Sequence, residues 1–141
     1  MAPKKELLNI IHLDDHQLFQ DGLKLGLAKR LPGRYSIHPI QHPEPAIEYI
    51  LQSLEDAAFI DLVITDFNHP GINGYEFSKK VKVIAKDYGV QIPVLSVSMV
   101  GSGNENISRG LHEGVYDLAI TKNASFYELI GAIEILCHSQ E

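Results

Sequence analysis

Five short apolar runs along the chain each end at polar or turn residues, and amphipathic segments separate them. A continuous apolar run bounded by turn residues is typical of a strand that is covered on both faces of a sheet. The predicted strands are residues 7–13, 35–40, 62–66, 92–98 and 118–120. Pro39 lies inside the second run, which favours an edge position for that strand because proline cannot donate a ladder hydrogen bond.

The segments between the strands carry apolar residues at helical spacing. The first helix is predicted over residues 17–29, Pro43-Glu44-Pro45 opens the second, and Asn73 and Ser125 are candidate N-caps of the third and the last. The predicted apolar positions are Leu18, Phe19, Gly22, Leu23, Leu25 and Leu27; Ile47, Ile50, Leu51 and Leu54; Phe77, Val81, Ile84 and Tyr88; Ile107 and Leu111; and Leu129, Ile130, Ile133 and Leu136. Lys79, Lys80, Lys82 and Lys86 are interpreted as a mostly solvated face of the third helix. This alternation predicts an α/β fold, a parallel sheet with helices on both faces.

Carboxylates follow two of the predicted strands. Asp14 and Asp15 come directly after the first strand, and Asp66 ends the third. In an open parallel sheet the carboxyl ends of the strands form the ligand crevice, where Ser98 and Lys122 also fall. Like charges held close stay ionised most readily around a cation, and hard oxygen ligands suit Mg²⁺. The pattern therefore predicts a magnesium site at this edge of the sheet.

Composition narrows the function classes. The chain has 141 residues, of which 45% are hydrophobic and 21% charged, as expected for one folded domain. Its net charge of −6, with no basic block beyond Lys4-Lys5, argues against direct nucleic-acid contact. Cys137 is the single cysteine, which excludes an internal disulfide and is compatible with a cytoplasmic location. No run approaches the roughly 20 apolar residues of a membrane span.

The ordered motifs resemble the receiver domain of two-component response regulators over residues 7–136. The acid pair lies in HLDDHQLFQDGL, which is similar to receivers attached to LuxR-like helix-turn-helix regulators. Pro70 and Gly74 stand four and eight residues after Asp66, as in the family's phosphoacceptor segment. Ser98 and Lys122 occupy the positions of the family's hydroxyl residue and lysine. The resemblance implies a flavodoxin-like (βα)5 doubly wound sheet with strand order 2-1-3-4-5.

The same resemblance implies a phosphorelay function. Asp66 would accept a phosphoryl group from a sensor histidine kinase or a histidine phosphotransfer protein, forming an acyl phosphate that hydrolyses slowly. Asp14, Asp15, Asp66 and the backbone carbonyl of Asn68 would hold Mg²⁺. Lys122 would offset charge on the phosphoryl oxygens, and Ser98 would hydrogen-bond the bound group. Such a phosphoacceptor is not a turnover enzyme in the ordinary sense.

The resemblance also implies that phosphorylation changes a binding face around helix four, strand five and helix five. This face could form a homodimer, and the regulated process is expected to be transcription. The chain is interpreted as a single receiver domain, residues 1–141 with a core over 7–137, without an output domain. It would be a stand-alone receiver or a part of a longer DNA-binding regulator.

Three positions depart from the family pattern. Ala119 stands three residues before Lys122, where many receivers have Tyr or Phe, while Tyr116 lies six before it. Met99 follows Ser98 at a position that is often small, and His69 replaces the more usual Met or Leu. A degenerate receiver that binds proteins without phosphorylation is therefore the main alternative, although all five catalytic positions are filled.

Other interpretations fit the residues less well. His16 and His69 would join Asp14, Asp15 and Asp66 in a transition-metal enzyme, but no paired-histidine helix motif is present. Haloacid-dehalogenase-type phosphatases place a second acid two residues after the nucleophile, where this chain has Asn68. A nucleotide-binding module would require a glycine-rich turn after the first strand.

Overall fold

The computed structural model describes residues 7–66, 73–99 and 104–138. Strands and helices alternate five times, as the sequence predicts. The strands are β1 (Leu8–Leu13), β2 (Tyr35–Ile40), β3 (Leu62–Thr65), β4 (Val94–Ser98) and β5 (Leu118–Thr121). The helices are α1 (Gln17–Arg30), α2 (Pro43–Glu55), α3 (Gly74–Asp87), α4 (Asn104–Glu113) and α5 (Phe126–His138).

All neighbouring strands pair in parallel, in the order β2-β1-β3-β4-β5. The predicted order is confirmed, and β2 with its Pro39 lies at an edge. The register sets Leu13 opposite Thr65 and Ser98 opposite Thr121. Consequently the residues that follow β1, β3 and β5 leave the sheet at the same edge.

Two apolar cores lie on opposite faces of the sheet. On one face Ala46 and Ile50 of α2 and Phe77 and Val81 of α3 pack on β1 and β3. On the other face α1 and α5 cover the sheet, with Ile133 fully buried at its centre. Each large aliphatic or aromatic side chain buried in this way contributes about 1.5–3 kcal/mol.

The predicted inward-facing residues are buried where they lie at the centre of a helix face, but several at the edges of the faces are exposed. Leu51 is 37% exposed and Tyr88 is 41% exposed, although the pattern places both on inward faces. Leu18 and Leu25 are also exposed. Because an α-helix has 3.6 residues per turn, neighbours in sequence point about 100° apart, and Leu51 turns away where Ile50 packs on the sheet.

Two predicted caps and one lysine show how side chains fix the helix positions. The Asn73 side chain accepts a hydrogen bond from the backbone of Glu76, and Ser125 accepts one from Glu128, which confirms both N-caps. Lys82 differs from the other lysines of α3 because it is half-buried, and its ammonium lies 2.6 Å from Asp117.

Among the described helices, none combines the length and apolar character that crossing a bilayer requires.

Candidate functional site

Two carboxylates lie buried side by side at the carboxyl edge of the sheet. Asp14 and Asp66 directly follow Leu13 and Thr65, which pair across β1 and β3. The Asp66 amide donates to the Leu13 carbonyl at 3.1 Å, so the neighbouring strand holds its backbone. Each carboxylate has only 1% of its side-chain surface exposed. Buried carboxylates require charge partners, because the loss of hydration penalises the ionised form.

Lys122 supplies one such partner. β5 ends at Thr121, and the Lys122 amide donates to the Ser98 carbonyl at 2.8 Å, which anchors the lysine backbone beside β4. Its ammonium nitrogen lies 2.9 Å from Asp14 Oδ2 and 3.1 Å from Asp66 Oδ2. The ammonium also lies 5.0 Å from the centre of the Phe19 ring, which covers it from α1. The structure therefore brings Lys122, Asp14 and Asp66 together as predicted.

Asp15 and His16 form the solvent side of the same cluster. About a third of the Asp15 side chain and more than half of the His16 side chain are exposed. His16 Nδ1 lies 3.4 Å from Asp15 Oδ1, 3.1 Å from Asp14 Oδ1 and 2.8 Å from the Lys122 ammonium. The sequence did not mark His16 as a residue of the receiver site. It was named only in the transition-metal interpretation, as a ligand beside Asp14, Asp15 and Asp66.

The donor set fits a hard divalent cation. One oxygen each from Asp14, Asp15 and Asp66, together with His16 Nδ1, lie within 4.8 Å of one another. Three carboxylates carry a formal charge of −3, and Lys122 compensates only one of these charges. Oxygen ligands at a solvent-facing site suit Mg²⁺, which retains several waters and uses few protein carboxylates. The residues present therefore fit the cation that the sequence predicts.

Of the remaining predicted site residues, the structure describes Ser98. Ser98 ends β4, the strand between β3 and β5, and its side chain is buried. Met99 follows it and is 55% exposed. Asn68 and His69 lie outside the described residues. The carboxylates, the lysine and Ser98 thus meet at one edge of the sheet, in the positions that the strand ends predict.

A buried layer supports the site from below. His12 is fully buried, with its Nε2 3.8 Å from Asp14 Oδ2 and its ring against Phe19. Burial lowers the pKa of His12 to about 4, the Asp14 carboxylate opposes this shift, and Lys122 adds to it. The imidazole is therefore neutral at neutral pH. Gln20 donates to the carbonyls of His12 and Ile40, both at 3.0 Å, and so ties α1 to the ends of β1 and β2.

The aromatic residue near β5 lies before the strand rather than within it. Tyr116 is 1% exposed, and its ring lies against α4 where Gly110 has no side chain. Burial raises the pKa of Tyr116, while the Ser78 hydroxyl opposes this rise. Ala119, which occupies the family's aromatic position, is half-buried in β5 opposite Ser96. The interior below α4 is therefore filled by an aromatic ring from a different position.

Solved structures with the same fold include receiver domains and a protein described as an adenylate cyclase. A receiver domain of response regulator 1452 from Francisella superposes with a TM-score of 0.73 at 22% identity, covering 95% of this chain and 99% of that chain. An adenylate cyclase from Rhodopirellula baltica gives 0.74 at 16% identity, covering 92% and 86%. The signal receiver domain of a signal transduction histidine kinase from Syntrophus aciditrophicus gives 0.72 at 20% identity, covering 93% and 90%. At these identities the likeness shows the fold, which is the flavodoxin-like receiver fold.

Sequence comparison identifies the family. A comparison with curated proteins gave no match. The family described as "Response regulator receiver domain" matches residues 10–134, which include all ten strands and helices except the ends of β1 and α5. This chain therefore belongs to the response regulator receiver domain family.

Proposed function

We propose that this receiver accepts a phosphoryl group on Asp66 from a phosphohistidine donor. The observation that carries the proposal is the environment of the Asp66 carboxylate. It is almost wholly buried, 3.1 Å from the Lys122 ammonium, and within the carboxylate cluster of Asp14 and Asp15. A buried carboxylate beside a fixed cation is suited to phosphoryl transfer, which depends on positioning and charge compensation.

In this reaction an Asp66 oxygen attacks the phosphorus of the donor. The new oxygen–phosphorus bond forms as the donor's nitrogen–phosphorus bond breaks, and the departing imidazole takes up a proton. Lys122 would balance charge on the phosphoryl oxygens, and Ser98 would donate a hydrogen bond to one of them. A bound Mg²⁺ supplies electrostatic stabilisation of the same oxygens, and Asp14, Asp15, Asp66 and the Asn68 carbonyl would hold it.

The experiment is the intact mass of the protein after incubation with a small acyl phosphate, with and without Mg²⁺. We expect a gain of one phosphoryl group that requires Mg²⁺ and is absent from Asp66→Asn. Asp61→Asn is a control, because Asp61 is a buried acid at the opposite end of β3, where its side chain accepts from the Asn9 amide. Equal labelling of the wild type and Asp66→Asn would contradict the proposal.

The partners follow from the family. We propose a sensor histidine kinase or a histidine phosphotransfer protein as the donor, in the cytoplasm. The DDH motif favours an output of the LuxR-like, DNA-binding type in the complete regulator, with no nucleic-acid contact by this domain. The output face would consist of α4, β5 and α5, where Leu111 and Ile135 are exposed.

A second candidate is a receiver that binds its partner without phosphorylation. Ala119 cannot act as the aromatic part of the family's switch, and Tyr116 already fills the space below α4. If this candidate is right, partner binding is the same with and without the phosphoryl group. Partner capture by wild type and Asp66→Asn, each with and without acyl phosphate, separates the two functions.

A further inference from the structure

His16 has a fixed position over the carboxylate cluster. Its backbone amide donates to Asp14 Oδ1 at 2.8 Å, and the residue is the N-cap of α1 with extended backbone angles. This turn directs the imidazole back across the acid pair rather than along the helix. As a result Nδ1 lies 3.1 Å from Asp14 Oδ1, 3.4 Å from Asp15 Oδ1 and 3.7 Å from Asp66 Oδ2.

These separations suit neighbouring ligands of one small cation. Ligands at about 2.1 Å from an ion lie roughly 3 Å apart at adjacent positions and about 4 Å apart at opposite positions. The distances from Nδ1 to the three carboxylates fall between these limits. His16 is the only nitrogen donor in this cluster, among the residues that the structure describes.

A contact with a cation is already present at the same nitrogen. The Lys122 ammonium lies 2.8 Å from Nδ1. An ammonium can only donate hydrogen bonds, so Nδ1 is the acceptor in the tautomer that carries its proton on Nε2, and its lone pair then points into the cluster. The lone pair that accepts from an ammonium is the one that coordinates a metal ion. Because the same ammonium contacts Asp14 and Asp66, the Nδ1 side of the ring faces the carboxylates.

We propose that His16 is a nitrogen ligand of the divalent cation at this site and makes the site selective for borderline transition metals such as Co²⁺. The inference rests on the proposed function, because it concerns the same cation. Imidazole binds borderline metals well and contributes little to the binding of Mg²⁺, whose preferred ligands are oxygens. His16 would therefore raise the affinity of the site for a borderline metal relative to Mg²⁺, which the three carboxylates would still bind.

The test is calorimetric titration of the full chain with Co²⁺ alone and with Mg²⁺ alone. Loss of a group that hydrogen-bonds to a metal ligand lowers metal affinity roughly 10-fold to 100-fold. Loss of the ligand itself should lower the affinity at least as much. We expect His16→Ala to lose this much affinity for Co²⁺ and none for Mg²⁺. His112→Ala is the matched control, because His112 is exposed on α4. The visible spectrum of bound Co²⁺ should also change in His16→Ala, since an oxygen replaces a nitrogen ligand.

Equal affinities of wild type and His16→Ala for Co²⁺, or equal losses for both metals, would overturn the inference. Asp15→Asn separates this failure from a failure of the proposed function. It should weaken both metals, because it removes a carboxylate that serves either ion. If Asp15→Asn weakens neither metal, the proposed cation site itself is wrong, whatever the result with His16→Ala.

Discussion

Lys122 compensates part of the charge of the two buried carboxylates, Asp14 and Asp66. Its ammonium lies within 3.2 Å of both Asp14 oxygens and of Asp66 Oδ2. A divalent cation at this site would share the same negative charges. In the proposed function Lys122 would stabilise the phosphoryl oxygens during transfer and would compete electrostatically with metal binding before it.

Lys122→Gln tests both roles. We expect the rate of phosphorylation by an acyl phosphate to fall about 10²-fold or more, as for the loss of one preorganised transition-state donor. Mg²⁺ affinity should stay the same or rise, because a positive charge leaves the cluster. Time-resolved intact mass and metal titration measure the two effects, with Lys86→Gln, an exposed residue of α3, as the control. A normal phosphorylation rate in Lys122→Gln would contradict this account of the lysine.

Tyr116 provides a test of burial through pH. Burial raises the pKa of its phenol, so the folded state keeps the proton at a pH where the unfolded chain loses it. The neutral phenol therefore contributes stability that is complete below pH about 10 and is lost as the pH rises further. We expect wild type to lose more stability than Tyr116→Phe above that pH in urea unfolding. Identical pH profiles of the two proteins would show that the phenol is accessible to water.

Strand ends and side-chain orientation differ in how far sequence can predict them. Asp14, Asp15, Asp66, Ser98 and Lys122 could be assigned to one edge because parallel strands deliver their carboxyl ends there. The orientation of a ring depends on the turn that carries it. His12 and His16 are both histidines in very different environments. His12 is buried because of its position in the alternation along β1, whereas His16 faces the carboxylates because of the turn that starts α1.

At the level of the elements, α4 packs on one core through Ile107 and contacts Tyr116 and Tyr75 through Gly110 and Glu113. The Tyr116 ring occupies the space under Gly110, and Glu113 accepts hydrogen bonds from the Tyr75 hydroxyl and from Arg109. The contact between Gly110 and Tyr116 therefore packs α4 against the segment that leads into β5.

Gly110→Ala tests this link. An added Cβ would lie 2.5 Å from the Tyr116 ring, so either the ring or α4 must shift. We expect the free energy of unfolding to fall by about 1–3 kcal/mol, as for other overpacked sites. Gly131→Ala in α5 is the control, because its Cβ would meet nothing within 4 Å, and alanine there should stabilise the helix by up to about 1 kcal/mol. Equal effects of the two substitutions in urea unfolding would mean that α4 is not packed on Tyr116.

The elements themselves were predictable, and their margins were not. The alternation of apolar runs and amphipathic segments determines the order of strands and helices. The exposure of Leu51 and Tyr88 depends on how much of each helix the sheet covers, which is a property of packing rather than of the periodic pattern. Tyr116 could not be placed either, because an aromatic residue between α4 and β5 can pack under the helix or lie in the strand.

For the whole molecule, the proposed output is a change in association through α4, β5 and α5. The face has exposed apolar residues on both helices, Leu111 on α4 and Ile135 on α5. Such residues are suited to a surface that is covered only in one state. Phosphorylation would then be signalled by a change in how much of this face a partner buries.

Ile135→Glu tests the face by sedimentation velocity of the phosphorylated protein. We expect wild type to shift toward a dimer on phosphorylation and Ile135→Glu to stay monomeric, because a charge would have to be buried in the contact. Val83→Glu, an exposed position on α3 and outside the face of α4, β5 and α5, should dimerise like wild type. Equal sedimentation of the unmodified and phosphorylated wild type would contradict the dimer.

In the proposed function Asp66 carries the phosphoryl group. The aspartate that is phosphorylated can be identified by chemical reduction. Sodium borohydride reduces an acyl phosphate to an alcohol, which converts a phosphorylated aspartate into homoserine. We expect peptide mass spectrometry of the phosphorylated and reduced protein to find homoserine at position 66 and unchanged aspartate at positions 14 and 15. Homoserine at either of those positions, or at none after a confirmed gain of phosphate, would contradict the account.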